Sequence, residues 1–254
     1  MSKILQTRIP YDIAAQRRLP GIQPMAVEDW LIRDDAFAEQ MAYRDQLLAG
    51  RRGAVLAMDE SARDAAEELL DLVLELAYPG AKGEATRPDG VTVPIKRDDP
   101  MGTLGRLVQE DLCLLQKREG DDEHVLTAAA LCFPASWMLA EKVMRPLTAI
   151  HVPVAEYDGN IAARVQRLFD GVQPDRPLWR FNALWYGDPD LHQPRSETER
   201  RPEGGNGSTD FLRSERQSVL RLPRTRAVVF SIHTFVLARA DAPAGTEGLD
   251  RVES

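Results

Sequence analysis

The residues of this chain best suited to chemistry are four histidines, two cysteines and a run of arginines. His151 lies in Leu147-Thr148-Ala149-Ile150-His151-Val152-Pro153-Val154, an apolar setting in which a neutral imidazole could reach a metal centre. His192 lies in the turn-like stretch Asp188-Pro189-Asp190-Leu191-His192-Gln193-Pro194. His124 follows an acidic turn and is expected to be solvated. His233 stands mid-strand, where a packed, hydrogen-bonded role is the plainer expectation. The spacing of these histidines does not by itself make a zinc site. Cys132 sits between small residues and Phe133-Pro134; it is either a buried apolar residue or a thiolate ligand or nucleophile. The segment Arg213-Ser214-Glu215-Arg216-Gln217, followed by Arg221-Leu222-Pro223, is dense in fork-shaped donors. It reads either as a salt-bridged face or as a carboxylate-binding surface.

Several common chemistries lack their motifs. The chain has no Gly-x-Gly-x-x-Gly after a strand, no Walker loop, no His-Glu-x-x-His and no Gly-x-Ser-x-Gly. The glycines of Gly204-Gly205-Asn206-Gly207 lie in a charged loop with no strand before them, which is a poor phosphate cradle. Two cysteines, not spaced Cys-x-x-Cys, cannot hold a four-thiolate iron–sulfur cluster, and a disulfide is not expected in a reducing compartment. A net charge of −8 argues against broad nucleic-acid binding.

The elements that must position these residues follow from period and punctuation. Residues 60–76 predict a helix, capped by Asp59 or Ser61, with Leu69, Leu72, Val73 and Leu76 on one face and Pro79-Gly80 as its stop. Before it, the first 50 residues read as turns and short helices, with Asp29 capping a segment at Trp30. A short strand is expected at 91–95, then a helix, or a helix passing into a strand, over 102–116. Residues 125–131 read as a strand, 136–144 as a short helix, and Asn160 as the cap of another helix. Trp179, Phe181, Ala183 and Trp185 alternate with Arg180, Asn182, Leu184 and Tyr186 at strand spacing. Residues 187–208 predict a surface loop, 227–237 a strand, and 211–220 either helix or strand. Helices first and strands later, without βαβ alternation, favour an α+β fold. The apolar runs are too short or too mixed to span a bilayer, and the first residues lack a secretory h-region, so a cytoplasmic protein is expected.

Taken in order, several segments resemble one family. They are Leu131-Cys132-Phe133-Pro134-Ala135-Ser136-Trp137 with Glu141-Lys142, then Ile150-His151-Val152-Pro153-Val154, then Trp179 to Asn182 and Leu191-His192-Gln193-Pro194. Arg213 to Gln217, Arg221-Leu222-Pro223 and Phe230-Ser231-Ile232-His233-Thr234 complete the series. Together they resemble the catalytic subunit of the haem-dependent oxidative N-demethylases, which include dimethylamine monooxygenase. Two positions depart from the usual pattern, Met144-Arg145 and Ala155-Glu156, and both affect loop geometry rather than a proposed ligand.

The resemblance implies a PAS-like antiparallel sheet with flanking helices and an N-terminal helical region, forming one haem-binding domain over residues 1–240. Residues 241–254 are expected to be a disordered tail. It implies a monooxygenase that uses O2 to remove a methyl group from a small secondary amine such as dimethylamine as formaldehyde. The cofactor would be haem b. NADPH-derived electrons would arrive through FMN and an iron–sulfur cluster on a separate reductase subunit, and no membrane or nucleic acid takes part. His151 is then the expected iron ligand, with His192 next, Cys132 third and His233 last. Arg213, Arg216 and Arg221 would meet the haem propionates, and Trp137, Trp179, Phe181 and Tyr186 would wall the pocket. Glu215 and Asp188 are the candidate carboxylates for a protonated amine. A PAS-like haem or small-ligand sensor, or an interaction protein on the same fold, is the alternative reading.

Overall fold

The computed structural model describes residues 3–13, 21–151, 159–199, 209–249 and 251–252. Its strands are β1 (Gln23–Pro24), β2 (Leu56–Met58), β3 (Glu84–Thr86), β4 (Thr92–Pro94), β5 (Asp111–Gln116), β6 (Val125–Ala130), β7 (Leu178–Tyr186), β8 (Phe211–Arg221), β9 (Val228–Ala238) and β10 (Arg251–Val252). Its α-helices are α1 (Phe37–Gly50), α2 (Arg52–Val55), α3 (Arg63–Ala77), α4 (Pro100–Gly105), α5 (Leu139–Lys142), α6 (Leu147–His151) and α7 (Gly159–Gly171). One antiparallel sheet runs in the order β1-β7-β8-β9-β5-β6-β2, and β10 adds a short parallel pairing to β7. Strands β3 and β4 form a separate hairpin. This is the expected α+β arrangement, a large antiparallel sheet with flanking helices.

Side chains alternate across a sheet, so the register assigns each residue to one of two faces. The first face carries Leu112, Leu114, Ala128, Ala130, Leu220 and Val229 beneath α3 and α4, where Leu69, Leu70, Val73, Met101 and Leu104 are buried. The second face carries Cys113, Leu115, Ala129, Val219 and Val228 beneath Leu139 of α5, Leu147 of α6 and Phe169 of α7. Helix α3 begins with a single 3-10 turn in which the Asp59 side chain accepts from Ser61 N. Its Glu68 is buried and accepts from the backbone N–H groups of Arg224 and Thr225, both at 2.7 Å. That contact pins the β8–β9 turn to the helix.

The structure departs from expectation in three places. Residues 37–50 form a single long helix where turns and short helices were expected, because buried Gln40 and Arg44 interrupt its apolar stripe. The helix expected over 136–144 is only four residues long. Residues 211–220, left open between helix and strand, belong to strand β8, and its charges find partners on both sides of the sheet. The expected disordered tail also has a defined part: Ala242 and Leu249 pack against the cluster holding Trp185, and the Thr246 carbonyl accepts from Trp185 Nε1 at 2.7 Å. A buried indole N–H needs an acceptor, and this segment provides it. Residues 200–208 of the predicted loop lie outside the described residues.

Candidate functional site

Along the second face, β7, β8 and β9 line up Arg180 with Gln217 and Ile232, then Asn182 with Glu215 and Thr234, then Leu184 with Arg213 and Val236. Apolar residues close both ends of these rows. At one end Trp137, Ile150, Leu178 and Phe230 pack against the cluster under α5 to α7. At the other, Cys132, Phe133, Leu191, Phe211 and Val236 form a second cluster. The result is a polar ledge between two apolar patches.

Glu215 is the centre of the ledge. Its Oε2 accepts from Asn182 Nδ2 and Gln217 Nε2, each at 3.4 Å, and its Oε1 lies 3.4 Å from Arg213 Nε. The backbone N–H of Glu215 donates to Asn182 Oδ1 at 3.2 Å. Beside it, the buried atoms Arg180 Nε and Thr234 Oγ1 have no hydrogen-bond partner among the described residues. Leaving such a group unpaired costs about 1–3 kcal/mol, so each calls for a physical reason. Burial lowers the pKa of Arg180, and the nearby Glu215 charge opposes that shift.

The expected haem-contacting residues are divided by the sheet. Arg213, Glu215, Arg221 and Tyr186 belong to the second face, whereas Arg216, Trp179 and Phe181 belong to the first. Arg213 donates to the carbonyls of Phe133 at 2.8 Å and Leu191 at 3.2 Å, and lies over the Tyr186 ring. Arg221 donates to the carbonyls of Val172 and Arg226, both at 2.7 Å, and of Phe169, and so caps the C-terminal end of α7. Arg216 donates to the Trp30 carbonyl at 3.0 Å and lies over Trp179. Trp179 and Phe181 pack with Tyr11, at ring distances of 5.5 and 4.7 Å. Asp188 is exposed on the loop after β7 and lines a separate cleft of about 510 Å³ with Lys3, Glu39, Tyr43 and Asp190. It does not meet Glu215 there.

The candidate ligands occupy different settings. Leu147 and Ile150 of α6 pack on the second-face cluster, so the backbone of His151 ends a helix laid over that face. The imidazole of His151 and residues 152–158 lie outside the described residues. His192 is buried, with Nδ1 2.8 Å from the Cys132 carbonyl. That contact makes Nδ1 the protonated nitrogen and leaves the Nε2 lone pair available, as metal-binding histidines require. Cys132 is fully buried, and burial pushes its thiol up to about 12 in the absence of a bonded metal.

His124 is buried rather than solvated. It lies 3.0 Å from Gln166 Nε2 and packs against Phe169, and burial lowers its pKa. His233 is packed and hydrogen-bonded, 2.9 Å from Glu110 Oε1 and 3.0 Å from Asp34 Oδ2. Among the described residues, no group of three histidine, cysteine or acidic side chains could hold a metal ion, and no helix is long and apolar enough to cross a membrane.

A haem is a flat apolar body with two carboxylates on one edge, and the second face presents both apolar side chains and arginines. Its two apolar patches suit the ring, and an arginine nitrogen without a partner suits a carboxylate. Arg180, Asn182, Gln217 and Thr234 were not singled out from sequence. The signal was present in β7, as the polar half of its alternation, but the aromatic half drew the inference.

A family model described as haem-dependent oxidative N-demethylase, alpha subunit-like, matches residues 21–245.

Proposed function

The chain belongs to the haem-dependent oxidative N-demethylase, alpha subunit-like family, and from that membership we propose that it is the haem-binding subunit of a monooxygenase acting on a small secondary methylamine such as dimethylamine. One atom of O2 enters the methyl carbon, which leaves as formaldehyde. The other atom leaves as water, with two electrons and two protons supplied. The electrons come from NADPH through FMN and an iron–sulfur cluster on a reductase partner, because two buried cysteines cannot hold such a cluster here. Residues 1–240 act as one haem domain in the cytoplasm.

The observation that supports this reading most is the ledge centred on Glu215 between two apolar patches. Bound haem b supplies oxygen binding and activation. Glu215 receives the ammonium of the amine, and Asn182 and Gln217 hold the carboxylate in place. The apolar patches exclude water and leave the methyl groups without polar competitors. Asp188 serves the outer cleft and is the second choice for the amine. His151, whose backbone ends α6, is the iron ligand in this reading, and His192 is the alternative.

Titrating the purified protein with haem, and following the Soret band, tests the proposal. Wild type is expected to give a strong band, His151→Ala to lose or shift it, and His192→Ala to retain it. Reversal of the two variants would make His192 the ligand. Wild type that takes up no haem, or haem-loaded protein that releases no formaldehyde from dimethylamine with a competent reductase, would overturn the function.

A further inference from the structure

The sheet carries four arginines with described side chains, and three of them are committed. Arg213, Arg216 and Arg221 each donate to backbone carbonyls at 3.2 Å or less. Arg180 makes no hydrogen bond or ion pair among the described residues, and its Nε is buried. It stands in register with Gln217 on the second face, one row from Glu215. Glu215 is near enough for its charge to act on Arg180 but makes no bond to it, and that carboxylate is held by Asn182, Gln217 and Arg213. A half-buried guanidinium with no bonded anion carries a desolvation cost that one bidentate carboxylate would offset.

Resting on the haem reading above, we propose that Arg180 is the carboxylate anchor of the second-face site. The carboxylate is a propionate of the haem or the carboxylate of an N-methyl amino acid substrate, since both present the same planar pair of oxygens. Arg180 takes the anion while Glu215, one row away, takes an ammonium. The proposal assigns to Arg180 the role that sequence gave to Arg213, Arg216 and Arg221.

The test compares wild type, Arg180→Leu and Arg180→Lys, each titrated with haem and with haem whose two propionates are methyl esters. The Soret band gives both affinities. Wild type is expected to prefer free haem over the diester roughly 10- to 100-fold, the worth of one charged hydrogen-bonded contact. Arg180→Leu should lose that preference by weakening haem alone, and Arg180→Lys should keep part of it. Thermal melting should show both variants folded, because the Arg180 side chain has no bond among the described residues to lose. If Arg180→Leu keeps the haem preference, N-methylglycine is added to the haem-loaded proteins. A spectral shift present in wild type and absent in Arg180→Leu assigns the anchor to the substrate carboxylate. An unchanged haem preference together with an unchanged response to N-methylglycine overturns the proposal. Failure of wild type to bind haem would instead remove the reading beneath it.

Discussion

Replacing Arg44 with methionine is expected to lower the unfolding free energy by about 3–5 kcal/mol, the cost of breaking a buried ion pair from one side. Arg44 is fully buried on α1 and binds Asp111 Oδ1 at 2.7 Å. Its other donors reach the carbonyls of Gly105, Gln109 and Glu110 at 3.0 to 3.1 Å. Methionine fills the volume but leaves three carbonyls and a buried carboxylate short of a donor. The consequence reaches the ledge. Asp111 also accepts from the N–H groups of Cys132 and Phe133, at 2.7 and 2.8 Å, while their carbonyls hold His192 and Arg213. Arg44→Lys should recover little, since one ammonium cannot replace a fork of three directions. Urea unfolding followed by tryptophan fluorescence measures the effect. A loss below about 1 kcal/mol for methionine would show that the buried pair does not hold this layer together.

The second large effect is a dependence of stability on pH that disappears with His233. Burial alone would lower the pKa of this imidazole, but its bonds to Asp34 and Glu110 raise it to about 9. A group whose folded pKa is raised stabilises the fold fully below its unfolded value and loses that contribution as pH rises through the folded value. Stability should therefore fall between about pH 6.5 and 9, by about 3 kcal/mol if the whole shift is expressed. Asp34 has the opposite sign. Burial would raise its pKa, yet the His233, Gln109 and Gln6 hydrogen bonds lower it, so its contribution is lost as pH falls through the acid range. Together they predict greatest stability between roughly pH 4 and 6.5. His233→Gln should flatten the alkaline side while lowering stability at pH 6. Urea midpoints from pH 5 to 10 would decide it, and parallel curves for the two proteins would count against the charged imidazole.

How much of this could be read from the residues alone depended on where their partners lie. Helix α3 was legible because its cap, stripe and stop sit within one short stretch of chain. Helix α1 was not, because Arg44 and Gln40 look like surface residues until Asp111 and the Thr234 carbonyl are brought beside them. The same reason left β8 undecided. Its charges face Asn182, Trp30 and Phe133 from three different parts of the sequence. Alternation in β7 correctly predicted a strand, yet period 2 does not say which face holds the site. Arg180 and Phe181 are neighbours in sequence and lie on opposite sides of the sheet.

The order of strands also bears on how the chain is made. Strand β5 pairs with β6 immediately after it, but its other edge is closed only by β9. A ribosome needs roughly 5–20 s to travel from Gln116 to Val228 at ordinary rates, and throughout that interval the apolar edge Asp111–Gln116 has no native neighbour. The newborn chain thus carries an adhesive margin until β9 emerges. Crowded or rapid expression should divert this protein into aggregates during synthesis, even when the finished molecule is stable.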